Sequence, residues 1–194
     1  DKLLTTLLAT GESVGTHAAS AIFSTTTATL NPNVTVNNKA GTGVSGSAAE
    51  VLAALHDGLA LFEAMRNDGN DLVNGAPPRV MLMYSGTGQT HERQYVYDAL
   101  KPQLLNDKYV FEGNQVVPVN NPYLGTNADM WLFDLDTPNK FFVVGVEQQA
   151  DFITDLGSPG YGVIMNRRNL GQTSYGYGVA FSGDPTGAVM LNDA

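Results

Sequence analysis

A stripe of apolar residues at three- and four-residue spacing runs between Ser47 and Asn67 and comprises Val51, Leu52, Leu55, Leu59, Phe62 and Met65. This spacing places side chains on one face of an α-helix. Ser47 and Glu50 form a capping-box sequence at its start, in which the hydroxyl can accept from the amide of Glu50 while the carboxylate reaches back to the amide of Ser47. We therefore predict a long amphipathic helix that ends at Asn67-Asp68-Gly69, with the glycine as a cap.

Two further helices are predicted, one before this stripe and one after it. Residues 1–11 have the pattern of the last turns of an amphipathic helix that Gly11 stops, and we expect the start of that helix to lie before residue 1. The other helix runs roughly from Thr90 to Leu105, after the turn Gly86-Thr87-Gly88, and Pro102 bends or ends it.

Strand-like segments fill much of the remaining chain in the first half. Ala21–Ser24 predicts a short strand, and a polar excursion with turn signals at Asn31-Pro32-Asn33 and Asn37-Asn38 follows it. Val80–Tyr84 is apolar on both faces, which predicts a buried central strand.

The second half of the chain is a succession of predicted strands. Val116–Leu124 gives a strand and a loop, Trp131–Asp134 a strand that holds the single tryptophan, and Phe141–Val144 another strand. After a Gly-rich break, Val163–Phe181 predicts a long ribbon in which Tyr and Gly alternate, suited to packing within the subunit or against a neighbouring one. Helices and strands in this order predict an α+β protein.

Composition narrows the classes of function. With 194 residues, of which 43% are hydrophobic, the chain can bury a normal core. It has no apolar run of about 18 residues and no basic start followed by an apolar block, so neither a membrane span nor a signal peptide is predicted. The absence of cysteine excludes thiolate chemistry and disulfides. The net charge of −9 argues against a protein that wraps nucleic acid, because such proteins neutralise phosphates with clustered Lys and Arg.

The Gly86-Thr87-Gly88 turn occupies the position of a phosphate cradle, between a predicted strand and a predicted helix. It lacks both the Gly-Lys-Ser/Thr of an NTPase loop and the third glycine of a dinucleotide fingerprint. An ordinary turn is therefore the favoured interpretation, with a small nucleotide-binding enzyme as the alternative. His91-Glu92 resembles the start of a zinc-protease helix, but Tyr95 stands where the second histidine belongs.

Other potential metal ligands lack the spacing of a site. His17, His56 and His91 lie in separate segments. The acidic segments Asp134–Asp136 and Asn67–Asp71 offer hard oxygen ligands for a divalent cation, yet a strand-end turn and a helix cap are the favoured interpretations. We predict a protein that is not an enzyme, with no catalytic, cofactor-binding or metal-binding residues and no cofactor.

The order of these segments resembles that of the major capsid protein of tailed phages with the Hong Kong 97-type fold, most closely the major head subunit family of Mu-like phages. The motifs that carry the resemblance are the Leu-Leu-x-x-Gly that ends at Gly11, the Asn-rich Val36–Asn38, the strand Pro78–Met83, Val116–Leu124 with its Pro-Tyr-Leu end, and the Trp131–Asp134 strand. They span nearly the whole chain. The family's N-terminal arm and extended loop have no counterpart in this sequence, and no crosslink of the family is carried over.

This resemblance implies a domain organisation. A peripheral domain, with a helix and long strands, would comprise residues 1–77 and 140–194, and an axial domain, with a central sheet flanked by helices, would comprise residues 78–139. The chain would form hexamers and pentamers of an icosahedral capsid that encloses double-stranded DNA without binding it specifically. Decoration and scaffold proteins are partners that such a shell admits.

The same resemblance implies a location, the virion, with assembly in the host cytoplasm and no membrane partner. Encapsulating nanocompartments and gene-transfer particles use the same fold, so the cargo is open. A tail or baseplate interaction protein is a further alternative from another class.

Two features are singled out as candidate positions. Trp131, between Met130 and Leu132-Phe133, is predicted to be a buried core anchor. Arg167 and Arg168 form a basic pair in a chain with 19 acidic and 10 basic residues, so at least one is expected to meet a carboxylate. We predict a partner on a neighbouring subunit, and an exposed pair within the subunit is the alternative.

Overall fold

Helices and strands of an α+β protein are present in the computed structural model, which describes residues 2–11, 21–31, 33–41, 44, 46–73, 77, 79–86, 92–101, 115–125, 128–137, 141–153, 172–181 and 184–192. Within these residues the helices are α1 (Lys2–Ala9), α2 (Ala48–Ala64) and α3 (Glu92–Leu100). The strands are β1 (Thr27–Ala28), β2 (Thr35–Val36), β3 (Lys39–Ala40), β4 (Arg79–Tyr84), β5 (Gln115–Asn120), β6 (Met130–Asp134), β7 (Phe142–Ile153), β8 (Gln172–Phe181) and β9 (Ala188–Leu191).

The largest described sheet is mixed and has five strands in the order β3-β9-β6-β4-β5. Strand β4 lies in the interior of the sheet, as its apolar sequence predicted, and is parallel to β5 and antiparallel to β6. Leu82 lies opposite Leu132 on one side and Pro118 on the other. Pro118 has no amide hydrogen to donate, and β5 tolerates it because this strand lies at the edge of the described sheet.

The side chains of this sheet alternate between two apolar cores, one on each face. The first core packs the sheet against α2 and α3, and its sheet residues include Val80, Leu82, Met130, Leu132, Val189 and Leu191. The second core includes α1, and its buried members are Leu8, Ile22, Phe23, Met83, Leu124, Trp131, Phe133, Phe141, Ala188 and Met190. Both faces of the sheet are thus covered, which is why β6 reads as a continuous apolar run.

Helix α2 forms as predicted, with one change at each end. Ser47 Oγ accepts from the Glu50 amide at 3.3 Å, but the Glu50 carboxylate accepts from the Gly46 amide at 2.8 Å, one residue before the expected donor. The helix ends at Ala64, because Met65 turns to an extended backbone with ψ 147°. The predicted glycine cap at Gly69 is therefore wrong.

The segment after α2 is instead a loop that Asn67 organises. Its side-chain oxygen accepts from the amides of Gly69 and Asp71 at 2.9 and 3.0 Å. Arg66 and Leu72 close the loop as an antiparallel bridge. Asn-type side chains compete with the helix for backbone donors in this way, which explains why the helix stops before the glycine.

Helix α2 approaches the sheet closely at Gly58, which is buried. A Cβ atom built on this glycine would lie 2.6 Å from Leu132 Cδ1 and 2.9 Å from Leu191 Cδ2. A glycine in the middle of a helix costs stability relative to alanine. Here it allows the helix backbone to rest directly on two leucines of the central strands.

The predicted short strand at Ala21–Ser24 is wrong, since residues 22–24 form a bend. Polar side chains hold the bend where a sheet ladder was expected, because Asn38 and Thr27 take up the hydrogen-bonding groups of its backbone. The turn predicted at Asn31 is confirmed: the Val34 amide donates to the Asn31 carbonyl at 2.9 Å, and β1 pairs with β2 on either side.

Two compact units make up the chain, Asp1–Phe142 with Phe181–Ala194, and Val143–Ala180. The second unit contains most of β7 and β8, which pair in a two-stranded sheet. The axial domain of residues 78–139 and the peripheral remainder stay a prediction. The central sheet draws β3 and β9 from outside that range and β4, β5 and β6 from inside it.

Candidate functional site

The carboxyl ends of the parallel strands β4 and β5 lie side by side, with Tyr84 opposite Asn120. This edge is where open α/β sheets bind ligands, so it is the place where the nucleotide alternative would have to act. The Gly86 amide donates to Asn120 Oδ1 at 2.8 Å. A Cβ on Gly86 would come within 2.9 Å of Asn120 Nδ2, so any other residue here would displace the Asn120 amide group.

The polar groups of this edge bond to one another. The Gly86 amide, which could otherwise face a phosphate, is already satisfied by Asn120. Ser85 Oγ donates to the carbonyl of Gly125, and the Asn121 amide donates to the carbonyl of Tyr84 at 2.8 Å. The rest of the turn, including Thr87 and Gly88, lies outside the described residues. What is described of the edge therefore holds two strands together rather than opening a cradle.

A rigid turn follows β5 and exposes a tyrosine. Asn121 begins the 3₁₀ turn Pro122–Leu124 by accepting from the Tyr123 amide at 3.1 Å, and Gly125 ends it with a φ of 64°. Leu124 packs in the second core, whereas Tyr123 is 66% exposed. The Pro-Tyr-Leu sequence thus anchors with its leucine and presents its tyrosine.

Tyr84, Tyr97 and Arg93 form an aromatic and cationic group between β4 and α3. Burial raises the pKa of Tyr84 above the ordinary tyrosine value, the nearby Tyr97 raises it further, and Arg93 acts in the opposite direction. The guanidinium of Arg93 lies 5.7 Å from the centre of the Tyr97 ring, a cation–π contact. A phenol with a raised pKa stays neutral at physiological pH, so Tyr84 is no base here.

The acidic segment after β6 is a turn, as favoured from the sequence. Asp134 Oδ1 accepts from the amides of Asp136 and Thr137 at 2.8 and 3.1 Å. Arg79 pairs with Asp136 in a two-pronged contact, with 2.6 Å between the guanidinium and Oδ1, and this carboxylate raises the pKa of Arg79. Both carboxylates are therefore engaged by the protein itself.

Within the described ranges, no three His, Cys, Asp or Glu side chains come together as a metal-binding group. His56 is exposed on α2, and His17 and His91 lie outside the described residues. The same described part of the chain has no helix both long enough and apolar enough to cross a lipid bilayer.

Of the two candidate positions predicted from the sequence, the structure describes Trp131 but not the Arg167–Arg168 pair. Trp131 is completely buried in the second core, between Met83 and Met190 on the neighbouring strands. Its indole nitrogen has no hydrogen-bond acceptor among the described residues. Arg167 and Arg168 lie outside the described residues, so their partner stays a prediction.

Sequence reasoning missed the buried polar centre of the fold, Asn38 with Thr27. Both are fully buried, although Asn37-Asn38 was interpreted as a turn signal in a polar excursion. The available signal was weak: Thr27 begins β1 and Asn38 lies between β2 and β3, and the burial of both depends on which segments pack over them.

Comparison with known proteins finds no match to any family model, to any curated protein or to any solved structure.

Proposed function

We propose that the chain is a structural shell subunit, a major capsid protein of a tailed phage with the Hong Kong 97-type fold. It self-assembles into hexamers and pentamers of an icosahedral head around double-stranded DNA. The observation that carries this proposal is the realised order of elements in the second half of the chain: β5, the Pro-Tyr-Leu turn, the Trp131 strand β6, the long strands β7 and β8, and the return to the sheet in β9.

This order is the one on which the family resemblance rests, and the elements now have bounds and pairings. Strands β7 and β8 span Phe142–Ile153 and Gln172–Phe181, which is long for a two-stranded sheet. Isolated two-stranded sheets are marginally stable in water. A unit of this kind gains stability when further protein covers it, as an assembling subunit provides.

Surface chemistry supports the same proposal. The chain carries a net charge of −9, so it gains little affinity for packaged DNA and can enclose it without adhering. Large apolar side chains are exposed at Leu3, Leu30, Leu72, Tyr97 and Tyr123, and assembly would cover those that lie at contacts between subunits. The same surface chemistry suits the shell of a nanocompartment or a gene-transfer particle, and the enclosed cargo distinguishes these shells from a viral head.

Electron microscopy of the purified full chain tests the proposal. Closed shells of uniform size are expected, and nuclease-protected DNA in shells recovered from infected cells identifies a viral head. A chain that stays monomeric at all concentrations would refute self-assembly.

The nucleotide-binding enzyme makes the opposite prediction. Isothermal titration with ATP and with NAD is expected to give no binding, because the Gly86 amide is already bonded to Asn120 and the described edge carries no lysine. A dissociation constant of about 100 μM or lower, roughly −5.5 kcal/mol, would support the enzyme instead.

A further inference from the structure

Hydrogen bonds join the β1–β2 turn to the loop that follows α2, and each of these segments exposes a leucine. Asn31 of the β1–β2 turn donates its amide to Asp68 Oδ1 at 3.2 Å and its side-chain nitrogen to the Asp68 carbonyl at 3.1 Å. Leu30, beside Asn31, is 56% exposed, and Leu72, at the end of the second loop, is 59% exposed. We call Leu30, Leu72, Asp68 and Asp71 the leucine surface.

The leucine surface is held in one conformation by its own hydrogen bonds. Asn67 Oδ1 accepts from two amides of the loop, and the Arg66 guanidinium donates to the Asn70 carbonyl at 2.9 Å. Asn70 adopts a left-handed backbone with φ 66°. A surface that is already ordered loses little conformational entropy when a partner covers it.

This surface is acidic as well as apolar. Asp68 and Asp71 are exposed, and within the described residues no cationic side chain forms an ion pair with either. Arg66 lies on the same loop, but its guanidinium donates to the Asn70 carbonyl. The chemistry that fits such a surface is an apolar or aromatic group beside a cation.

Helix α3 presents that chemistry. Arg93 is exposed and stacks over Tyr97, which is 48% exposed. Asp98 on the same helix pairs with Lys101 at 2.5 Å, which lowers the pKa of Asp98, and among the side chains that the structure describes no carboxylate pairs with Arg93. Tyrosine and arginine are the residue types that most often anchor protein interfaces.

The leucine surface belongs to the loop that precedes β4, and the Arg93–Tyr97 face belongs to the helix that follows this strand. Among the described residues no ion pair joins the two surfaces within one subunit. A second copy can therefore supply the partner for each. Contacts between unlike surfaces of identical chains run head to tail, and they form a ring when the rotation between neighbours closes and an open filament when it does not.

We infer that the leucine surface of one copy packs against the Arg93–Tyr97 face of α3 in the next copy, with Asp71 opposite Arg93. This inference rests on the proposed function and names the surfaces that join subunits within a ring. It assigns Leu72 and Tyr97 to the apolar centre of the contact and the charged pair to its rim, where opposite charges select the partner and its register.

Charge reversal in the full chain tests the pairing. Asp71→Arg alone and Arg93→Asp alone are each expected to lower the yield of shells at least tenfold, and the double variant is expected to restore it. Glu63→Arg, an exposed acid on α2, changes the net charge equally and is the matched control that assembles normally. Circular dichroism establishes that each variant is folded.

Cysteine crosslinking gives a second measurement that does not depend on charge. Because the chain has no cysteine, a Leu72→Cys copy mixed with a Tyr97→Cys copy can form a mixed disulfide dimer only through the introduced thiols. That dimer is expected to exceed the one from Leu72→Cys with Tyr123→Cys, a control at another exposed tyrosine.

The outcomes separate the two proposals. Wild-type chain that forms no shells overturns the proposed function. Wild-type shells together with single reversals that assemble normally, a double variant that fails to recover, or equal crosslinking to Tyr97→Cys and Tyr123→Cys overturn the inferred contact alone.

Discussion

The side-chain nitrogen of Asn38 donates to the carbonyl oxygen of Ile22 at 2.8 Å, across 16 residues of the chain. Asn38 Oδ1 accepts from the Ser24 amide at 3.0 Å and from the Thr27 hydroxyl at 2.9 Å. The Met190 amide in turn donates to the Asn38 carbonyl at 2.9 Å. Asn38 thus joins the bend that contains Phe23 to the sheet, with its side chain bonded to the bend and its backbone carbonyl bonded to β9.

Replacing Asn38 with alanine is expected to destabilise the protein by roughly 1 to 3 kcal/mol, because the Ser24 amide and the Ile22 carbonyl each lose one buried partner and keep the Thr27 hydroxyl as another. Urea unfolding measures the change. The matched control is Asn37→Ala, since Asn37 is exposed and its side chain accepts from the nearby Lys39 amide at 3.1 Å. Equal losses for the two variants would contradict the buried network.

The parts of the fold that sequence reasoning reached are those that one segment encodes by itself. The stripe of α2 and the apolar runs of β4 and β6 each reveal a buried face through their own periodicity. The structure of Ala21–Ser24 could not be predicted in this way. Its backbone bonds to the side chain of Asn38 instead of to a neighbouring strand, and that contact depends on tertiary packing. The Glu50 carboxylate likewise accepts from the Gly46 amide instead of the predicted Ser47 amide, a difference set by the local backbone conformation.

The candidate site was predictable in a similar, partial way. The Gly86 turn was expected between a strand and a helix, and the bond from its amide to Asn120 depends on the parallel pairing of β4 with β5. The leucine surface depends on the hydrogen bond between Asn31 and Asp68, which are 37 residues apart. No local sequence pattern predicts that bond. Contacts between loops of this kind are fixed by tertiary structure alone.

Gly58→Ala is expected to destabilise the protein by about 1 to 2 kcal/mol. Alanine gains up to about 1 kcal/mol of helix propensity, but overpacking a core costs typically 1 to 3 kcal/mol. The added methyl would meet Leu132 and Leu191, both completely buried, so neither can move aside freely. Thermal or urea unfolding of the variant measures the net effect.

A compensating change separates packing from propensity. In the double variant Gly58→Ala with Leu132→Val, the shorter side chain makes room for the new methyl, and the combined loss is expected to be smaller than the sum of the two single losses. Additive losses, or a Gly58→Ala variant more stable than wild type, would show that α2 does not rest on Leu132 as described.

Trp131→Ala is expected to cost roughly 3 to 5 kcal/mol, the usual penalty for emptying a large buried aromatic site. Trp131→Phe should cost clearly less, since the indole nitrogen has no acceptor among the described residues and no described bond is lost. As Trp131 is the single tryptophan, its fluorescence reports on this site alone. Blue-shifted emission is expected, and emission typical of a water-exposed indole would contradict its burial.

Alkaline pH is expected to weaken the fold through Tyr84. Its folded pKa is raised above the ordinary value of 10.0, chiefly by burial, so the unfolded chain releases this proton first as the pH rises. The stabilising contribution is therefore complete below pH 10 and is lost as the pH climbs toward the folded pKa. Unfolding free energies of wild type and Tyr84→Phe, compared between about pH 8 and pH 11, should converge at the alkaline end because phenylalanine has no proton to lose. Tyr123→Phe, at an exposed position, should keep the wild-type pH dependence, and a Tyr84→Phe profile parallel to wild type would show that the Tyr84 hydroxyl titrates normally.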